Sequence, residues 1–559
     1  MIKKLFNGQI NSITIAAFLV ALSSLISRFL GIFRDRILGG EFGLGDTLDI
    51  YYAAFRIPDL VFNLLVLGAL SAGFIPVFTS LIKRTPPLTP FIPALSGRVK
   101  ISGGEQEEGT KQAWQLANNV LNILGLGLII LSGLGIIFAP CLMKLIVPGF
   151  APDKQALTVG LTRIMFLSPM FLGISSVFGG ILQSFKRFFI YSLSPIMYNI
   201  GIIIGALYLV PLWGVYGLAW GVVLGALMHM LIQLPMAVKL GFRYVFRISF
   251  RDSNIRKIGL MMIPRTMSLA ISQVNLLIIT VIASTLAGGS LAVFNFANNL
   301  QSFPVGIFGI SFAVAAFPTL SAIAADRKKL ISGFSSTIRQ ILFFIVPATV
   351  LLLTLRAQII RVLFGTGRFD WQDTILTIDT LGFFCLSLFA QAIIPLLVRM
   401  FYARQNSKTP FFIGLISIAV NIVLSLWLAG LLGVAGLALA FSIASIVNFI
   451  LLWLVLRLEI GWLDELRILI STVKFSAAAI ACGAAVQGMK LVIWPFIDMT
   501  KFWGVLTQGL AAGFSGIIAY IIICLLLRSE ELFNFWSSIR RRLPVGKIEA
   551  GDQGEARGI

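Results

Sequence analysis

The sequence predicts an all-α integral membrane protein, and three observations support this prediction. The 559-residue chain is 58% hydrophobic and 12% charged, with a mean hydropathy of +0.95, whereas soluble domains carry roughly 25% charged residues. Apolar runs of about 18 residues or more recur along the chain, and a run of that length spans a bilayer as a helix. Lys and Arg lie mostly in the short segments between these runs, as in membrane proteins.

The apolar runs predict 14 transmembrane helices, near residues 14–38, 50–82, 113–146, 157–184, 191–211, 214–238, 257–286, 291–323, 332–363, 374–402, 410–430, 433–456, 469–489 and 503–527. Residues 84–110 contain prolines, a Gly-Gly pair and a Glu cluster, which predict a flexible loop. Residues 529–559 are polar and predict a tail. No small-residue cleavage site follows the first apolar run, so we expect the first helix to be retained.

The distribution of cations predicts the orientation. With the N-terminus in the cytoplasm, alternate loops hold nearly all of the Lys and Arg residues, which is the positive-inside pattern. We therefore expect a multi-pass protein of the bacterial cytoplasmic membrane with both termini cytoplasmic. The net charge of +21 follows from these loops, so we expect contacts with anionic membrane lipids and no nucleic-acid partner.

An internal repeat predicts two six-helix lobes. Asn199-Ile followed by Gly214-Val-Tyr-Gly-Leu-Ala recurs as Asn421-Ile followed by Gly433-Val-Ala-Gly-Leu-Ala. The repeats are six helices apart, an even number, so they are parallel and related by a pseudo-two-fold axis along the membrane normal. We predict an N-terminal lobe (1–240), a C-terminal lobe (241–457), two additional helices (458–528) and a tail (529–559). Transporters built this way bind substrate between the lobes.

Helix one carries the strongest candidate site, in Ser27-Arg28-Phe-Leu-Gly-Ile-Phe-Arg34-Asp35. An Arg at the bilayer centre costs about 2.5–3.5 kcal/mol on insertion scales. Arg28 lies well inside the run, and Asp35, seven residues later, shares its helix face. An Arg side chain donates two parallel hydrogen bonds to phosphate. These residues predict a cationic, water-filled cavity for an anionic head group.

Further polar residues inside the spans are weaker candidates, because interfacial anchoring and interhelical hydrogen bonding explain such residues equally well. Arg56 has Asp49 and Asp59 nearby in sequence and either pairs with them or serves the cavity. We interpret Arg36, Arg163 and Arg399 as anchors. The remaining candidates are Arg265, Asn199, Asn298 and Asn299.

Several classes of chemistry lack support. The four cysteines lie inside apolar runs without C-x-x-C spacing, and His229 is the only histidine, so we expect no disulfide, metal or other cofactor. No Walker-type sequence occurs, and no soluble segment is large enough to hydrolyse a nucleotide. A membrane enzyme such as a polyprenyl-phosphate glycosyltransferase needs an Asp-rich motif or an acid pair, and we find neither.

The motifs as a set resemble the MurJ (MviN) family of lipid II flippases. Besides the helix-one segment, they include Ala54-Phe-Arg-Ile-Pro58, Gly217-Leu-Ala-Trp-Gly, Gln233-Leu-Pro, Phe303-Pro-Val-Gly-Ile-Phe-Gly and Phe401-Tyr-Ala-Arg-Gln-Asn-Ser-Lys-Thr-Pro410. They follow the family's order over nearly the whole chain. The resemblance implies the multidrug/oligosaccharidyl-lipid/polysaccharide exporter fold, with the last two helices forming a lipid-facing groove.

The resemblance also implies a function. Family members move undecaprenyl-pyrophosphate-linked disaccharide-pentapeptide to the outer leaflet for peptidoglycan synthesis, with a central cationic cavity for the pyrophosphate. The matching cavity residues here are Arg28, Arg34 with its partner Asp35, and Arg265, while Asp49 matches an acidic position of the outer loop region. We expect a monomer whose further partners are in the cell-wall synthesis machinery.

The chain departs from some relatives, and other functions stay open. Those relatives carry charges where this chain has Phe62, Asn63, Asn298, Asn299 and Ser302. This puts a charge-gated cycle in doubt. The alternatives are a flippase for another polyprenyl-pyrophosphate-linked oligosaccharide and a non-transporting scaffold for envelope assembly. A cationic-drug exporter is a poorer match, because it needs buried carboxylates and about twelve helices.

Overall fold

The computed structural model describes residues 13–67, 73–82 and 103–542, and these ranges form helices and no strand. The α-helices of the described ranges are, in chain order, α1 (Ile13–Phe42), α2 (Asp46–Phe62), α3 (Ile75–Ile82), α4 (Gly103–Ile146), α5 (Pro152–Met165), α6 (Leu167–Ser184), α7 (Phe188–Ile204), α8 (Val210–Trp213), α9 (Tyr216–Leu231), α10 (Leu234–Lys239), α11 (Ser253–Ser284), α12 (Ser290–Pro304), α13 (Ser311–Ala322), α14 (Arg327–Phe364), α15 (Trp371–Cys385), α16 (Leu388–Ala403), α17 (Lys408–Leu432), α18 (Val434–Ile460), α19 (Glu465–Ile493), α20 (Phe502–Leu526) and α21 (Glu530–Arg542).

Many of these helices have the length and composition of membrane spans. Some spans combine consecutive helices, as α5 and α6 do over Pro152–Ser184. Counted in this way, ten helical spans in the described part of the chain are long and apolar enough to cross a membrane, and the bent pair α15 and α16 adds an eleventh if it is one span. The predicted all-α membrane fold is therefore confirmed, whereas the count of 14 spans stays a prediction.

The two predicted polar segments are partly helical. The segment expected to be a loop over 84–110 lies outside the described residues up to 102, and α4 already begins at Gly103. In the predicted tail, α21 forms from Glu530 to Arg542, and residues 543–559 lie outside the described ranges.

Two compact units make up the chain. One comprises Met1–Gln301, Ile360–Phe384 and Lys408–Asn448, and the other comprises Ser302–Ile359, Cys385–Ser407 and Phe449–Ile559. The first unit holds the helix-one motif and every other candidate site residue of the sequence. The predicted lobe boundaries at residues 240 and 457 stay a prediction.

Helices α7 and α9 approach each other closely through glycines. A Cβ atom added to Gly201 would lie 2.2 Å from the Cα of Gly225, and one added to Gly205, in the π-helical turn that directly follows α7, would lie 2.4 Å from the Cα of Gly221. Membrane helices lack a hydrophobic driving force for association, so small residues that let two backbones meet are a main source of packing energy. This contact sets the distance between α7 and α9 in the first unit.

The start of α21 is fixed in the second unit by buried charges. Arg339 of α14 contacts the carboxylate of Glu531 and lies 3.2 Å from Glu530, with Arg339 and Glu531 both almost fully buried. Ser471 of α19 donates a 3.0 Å hydrogen bond to Glu531. Arg467, also on α19, donates to Glu530 at 2.8 Å. The cluster ties α21 to α14 and α19.

We predict that Gly201→Ala destabilises the protein by about 1–3 kcal/mol, because the added methyl group forces α7 away from α9. The melting temperature in detergent measures the effect. Gly127→Ala is the matched control, since no atom lies within 4 Å of a Cβ at Gly127, and alanine there favours the helix by up to about 1 kcal/mol. Equal melting temperatures for the Gly201 variant and the parent would refute the close-packing interpretation.

We predict that Glu531→Gln costs about 3–5 kcal/mol, because the buried charge of Arg339 loses its buried carboxylate partner and keeps only Glu530, whose side chain is 57% exposed. Asp326→Asn is the control, since its pair with Lys329 is exposed, and such pairs contribute about 0–1 kcal/mol. Thermal unfolding of both variants in the same detergent makes the comparison. A loss for Glu531→Gln as small as that for the control would mean that the buried pair does not hold α21.

Candidate functional site

The charged residues at the end of the helix-one motif form a buried, hydrogen-bonded group. Arg34 donates to Asp35 Oδ1 from Nε at 3.0 Å and from Nη2 at 2.7 Å. The second carboxylate oxygen, Oδ2, accepts a 2.9 Å hydrogen bond from Asn299 of α12. Asp35 is 2% exposed and Arg34 is 20% exposed. A buried carboxylate needs such partners, because its charge is otherwise very costly.

Asn199 extends this group from α7 to α1. Its Oδ1 accepts a 3.2 Å hydrogen bond from Arg34 Nη1. Its Nδ2 donates to the carbonyl of Pro195 at 3.0 Å and to Ser27 Oγ at 3.5 Å. Five of the residues singled out in the sequence therefore form one connected network, namely Ser27, Arg34, Asp35, Asn199 and Asn299.

Arg28 lies outside this network and lines a cavity. Its side chain is exposed, and it makes no hydrogen bond or ion pair with a side chain of the described residues. The cavity has a volume of about 380 Å³, and its lining residues are Ser24, Ser27, Arg28, Phe62, Val66, Ile75, Ser175, Ser176, Gln183, Tyr191, Ser192, Pro195, His229 and Gln233. Arg28 is the one cation among these lining residues, and no carboxylate accompanies it.

A chain of polar groups forms one wall of this cavity. Ser175 Oγ lies 2.7 Å from His229 Nδ1, and Gln233 Nε2 donates to the same hydroxyl at 2.7 Å. Ser175 and Gln233 are fully buried, and Gln233 Oε1 has no partner in the described structure. The imidazole of His229 is partly exposed, so it is the group of this chain that hydrogen-bonds to a neutral polar ligand, while the two buried side chains hold it in place.

Sequence reasoning missed this wall. Ser175 did not stand out among the many serines of the spans, His229 was noted only as the single histidine, and Gln233 only within a motif. The available signal was the spacing of His229 and Gln233, which are four residues apart, as are neighbours on one helix face. That spacing does not reveal the third partner, Ser175, on a different helix.

Two sequence candidates are tied to neighbouring helices, away from the cavity lining. Arg56 donates from Nε to Thr280 Oγ1 and from Nη2 to Asn295 Oδ1, both at 2.9 Å. Asp49, which is 2% exposed, pairs with Lys154 at 3.1 Å. Asp49 also accepts hydrogen bonds from the backbone N–H groups of Gly289 and Ala292 at 2.8 and 3.0 Å, at the start of α12.

The remaining candidates have varied positions. Asn298 accepts a 2.9 Å hydrogen bond from Gln301 one turn further along the chain. Arg265 lies on α11, and its side chain is outside the described residues. Arg36, interpreted as an anchor, donates to the backbone carbonyls of Val362 and Leu363 at the C-terminal end of α14.

The comparisons with known proteins identify the family. The sequence profile of the family described as lipid II flippase MurJ matches residues 40–507. The chain belongs to the MurJ family of lipid II flippases. A probable lipid II flippase MurJ of Vibrio cholerae is 31% identical over 526 residues, which cover 91% of this chain and 95% of the relative. The lipid II flippase MurJ of Burkholderia cenocepacia is 27% identical over 444 residues, covering 78% and 82%.

Solved structures agree on the fold. A lipid II flippase MurJ in an inward closed conformation superposes with a TM-score of 0.71 at 24% identity, covering 91% of this chain and 99% of that one. An inward-facing multidrug transporter of the MATE family gives 0.62 at 17% identity, covering 80% and 99%. Membership of the MurJ family confirms the predicted resemblance, and it makes this chain a multi-pass membrane transporter and not an enzyme.

We predict that Asp35→Ala destabilises this MurJ-family protein by about 3–5 kcal/mol, because the partly buried guanidinium of Arg34 loses its counter-charge. The double variant Arg34→Met/Asp35→Leu removes both charges and recovers most of that loss. Melting temperatures in detergent compare the two variants with the parent. A double variant that melts no higher than Asp35→Ala would show that the unpaired Arg34 charge is not the cause.

Proposed function

We propose that this chain flips lipid II, the undecaprenyl-pyrophosphate-linked disaccharide-pentapeptide, from the inner to the outer leaflet of the bacterial cytoplasmic membrane by alternating access. The observation that carries the proposal is Arg28, an exposed cation without a carboxylate partner that lines a cavity with one polar wall, among helices long and apolar enough to span a membrane. Family membership makes lipid II the first cargo to test.

The physical problem of flipping is the charge of the head group. Transfer of even one unpaired charge into an apolar medium costs tens of kcal/mol in the idealised limit. A pyrophosphate therefore needs a cationic, hydrated path. The guanidinium of Arg28 donates parallel hydrogen bonds to phosphate oxygens, and its exposure leaves those donors free to do so.

The polar wall supports the rest of the head group. A disaccharide-pentapeptide carries hydroxyl and amide groups, and these hydrogen-bond to the serine, amide and imidazole groups that line the cavity. The cavity of about 380 Å³ is within the usual range of ligand pockets, roughly 300–1,000 Å³. It is small for the whole head group, so we propose that it accepts the pyrophosphate and the adjoining sugar.

The other charged residues have distinct proposed roles. The Arg34–Asp35 pair sets the position of Asn199 and, through it, of Ser27 on the cavity wall. Arg265 is proposed as a second cation for the pyrophosphate, in accord with its match to the family's cavity position. We assign Arg56 and Asp49 to positioning α2 against α11 and α12, because their hydrogen bonds go to those helices.

The proposal includes an orientation. With both termini cytoplasmic, the Ser24–Arg28 part of α1 lies nearer the cytoplasm than Arg34, so the cavity is on the side from which lipid II enters. We further propose that the chain acts as a monomer, with two six-helix lobes and the last two spans forming a lipid groove. Cell-wall synthesis proteins are the proposed partners.

We predict that Arg28→Ala abolishes flipping without impairing membrane insertion. Loss of a hydrogen-bonding charge costs about 1.5–3 kcal/mol, or roughly 10- to 100-fold in binding. The test expresses each version in a bacterium depleted of its own lipid II flippase and scores the exposure of precursor at the outer leaflet. Arg163→Ala is the control, because Arg163 is also an exposed arginine of a span helix but lies outside the cavity lining.

The outcomes are distinct. Rescue by the parent and the Arg163 variant, with loss in an equally expressed Arg28 variant, is the expected result. Rescue by all three versions would keep the flippase and remove Arg28 from its mechanism. Failure of a well-inserted parent would contradict lipid II as the cargo and favour another polyprenyl-pyrophosphate-linked glycan.

A further inference from the structure

The connection between α10 and α11 is an extended segment with an unusual surface. We call residues 242–252 the strap. It follows α10, the end of an apolar span, and precedes α11 without regular secondary structure of its own. Phe242 at its start is buried in the core of the first unit, where its ring packs edge-on against Phe178 at 5.4 Å.

Three asparagines of α4 hold the backbone of the strap. Asn118 accepts from the N–H of Val245 at 2.8 Å and donates to the carbonyl of Arg243 at 3.0 Å. Asn119 makes both kinds of bond to Ser249, accepting at 2.8 Å and donating at 2.9 Å.

Asn122 completes the attachment by donating to the carbonyls of Val245 and Arg247 at 3.0 and 3.2 Å. The three asparagines are almost fully buried. Buried amides that bond to the backbone in this way fix its extended conformation. Tyr244 is the one strap side chain that adds to the attachment, because its hydroxyl donates a 3.0 Å hydrogen bond to Asn122 Oδ1.

The side chains that the strap presents are aromatic and basic. Tyr244, Phe246 and Phe250 are 60%, 74% and 67% exposed. Arg243, Arg247 and Arg251 are also exposed, and they form no ion pair within the described residues. They recur every four residues, so in an extended chain they share one side.

Cations greatly outnumber acidic residues in and around the strap. Residues 239–257 carry six cations, and the single acid is Asp252. Asp252 is already engaged, because its carboxylate accepts a 2.9 Å hydrogen bond from the N–H of Asn254 and caps α11. The cations are Lys239, Arg243, Arg247, Arg251, Arg256 and Lys257. Clusters of four to eight cations beside a span are typical of binding to anionic lipids.

We propose that the strap is a binding site for anionic phospholipid head groups of the leaflet beside it. Aromatic rings favour the boundary between head groups and acyl chains, and arginines bind phosphate in a fixed fork. The strap offers both in alternation, three residues from the end of a span. A soluble acidic partner would pair with the arginines but would leave three aromatic rings in water. This proposal does not depend on the cargo of the transporter.

The test places a fluorophore on the strap of the full-length chain. Cys141 is the exposed cysteine among the four, and the other three are buried. Cys141→Ser therefore gives a background in which Val245→Cys, whose side chain is 57% exposed, takes the label. The chain is placed in nanodiscs that contain nitroxide-labelled phosphatidylglycerol or, separately, nitroxide-labelled phosphatidylcholine. Quenching of the fluorophore measures the proximity of each lipid.

We predict stronger quenching by phosphatidylglycerol than by phosphatidylcholine. Arg243→Gln/Arg247→Gln/Arg251→Gln lowers the apparent affinity for phosphatidylglycerol on the order of 100-fold, because each cation near an anionic surface contributes about 1 kcal/mol. High salt has the same effect on the parent, since it screens exposed charges. Arg327→Gln/Lys328→Gln/Lys329→Gln is the control, because it removes the same charge from the first turn of α14, which is also predicted to be on the cytoplasmic side.

Three results would overturn the proposal. Equal quenching by the two lipids would show that the strap does not select anionic head groups. Quenching by neither lipid would place the strap away from the membrane, as expected of a protein-binding surface. If the control variant lost as much selectivity for phosphatidylglycerol as the strap variant, that selectivity would come from the net charge of the protein and not from the strap.

Discussion

The carboxylate of Asp35 is the interaction on which the candidate site depends. A buried guanidinium within a membrane span is costly unless a partner compensates its charge. Asp35 does this for Arg34 and also accepts from Asn299, so a single residue joins α1 and α12. Because Arg34 is fixed, it fixes Asn199 of α7 in turn. Charge neutralisation thereby becomes a means of setting the positions of three helices.

In this arrangement, the charged residues that hold helices together are distinct from Arg28, the residue proposed to bind the head group. Arg34 has an adjacent carboxylate, whereas Arg28, less than two turns earlier on the same helix, is exposed in a cavity without one. A cation that already holds an internal partner has fewer donors for a ligand, and exchanging that partner costs free energy. Arg28 has no internal carboxylate partner to give up, so it binds a ligand without that cost. Arg56 and Asp49 resemble Arg34 in this respect, because their hydrogen bonds go to neighbouring helices.

The sequence predicted the membrane fold and the helix-one motif because both rest on local signals, namely apolar run length and a charge where charge is costly. The network around Asp35 joined five of the ten candidates, Ser27, Arg34, Asp35, Asn199 and Asn299. The polar wall and the strap were missed, because Ser175 and His229, like Asn118 and Val245, are far apart in sequence. The periodicity of a helix shows which face a residue occupies. Which residue of another helix it contacts depends on how the helices pack, for example at the close glycine pair Gly201 and Gly225.

The central claim is that Arg28 recognises a pyrophosphate, and a binding measurement with purified full-length protein tests it most directly. Native mass spectrometry would compare the affinities for undecaprenyl pyrophosphate and uncharged undecaprenol in the parent and in Arg28→Gln. The account predicts a preference for the pyrophosphate of about 10- to 100-fold in the parent that largely disappears in the variant. Equal affinities in the parent, or a preference that survives the loss of Arg28, would contradict it.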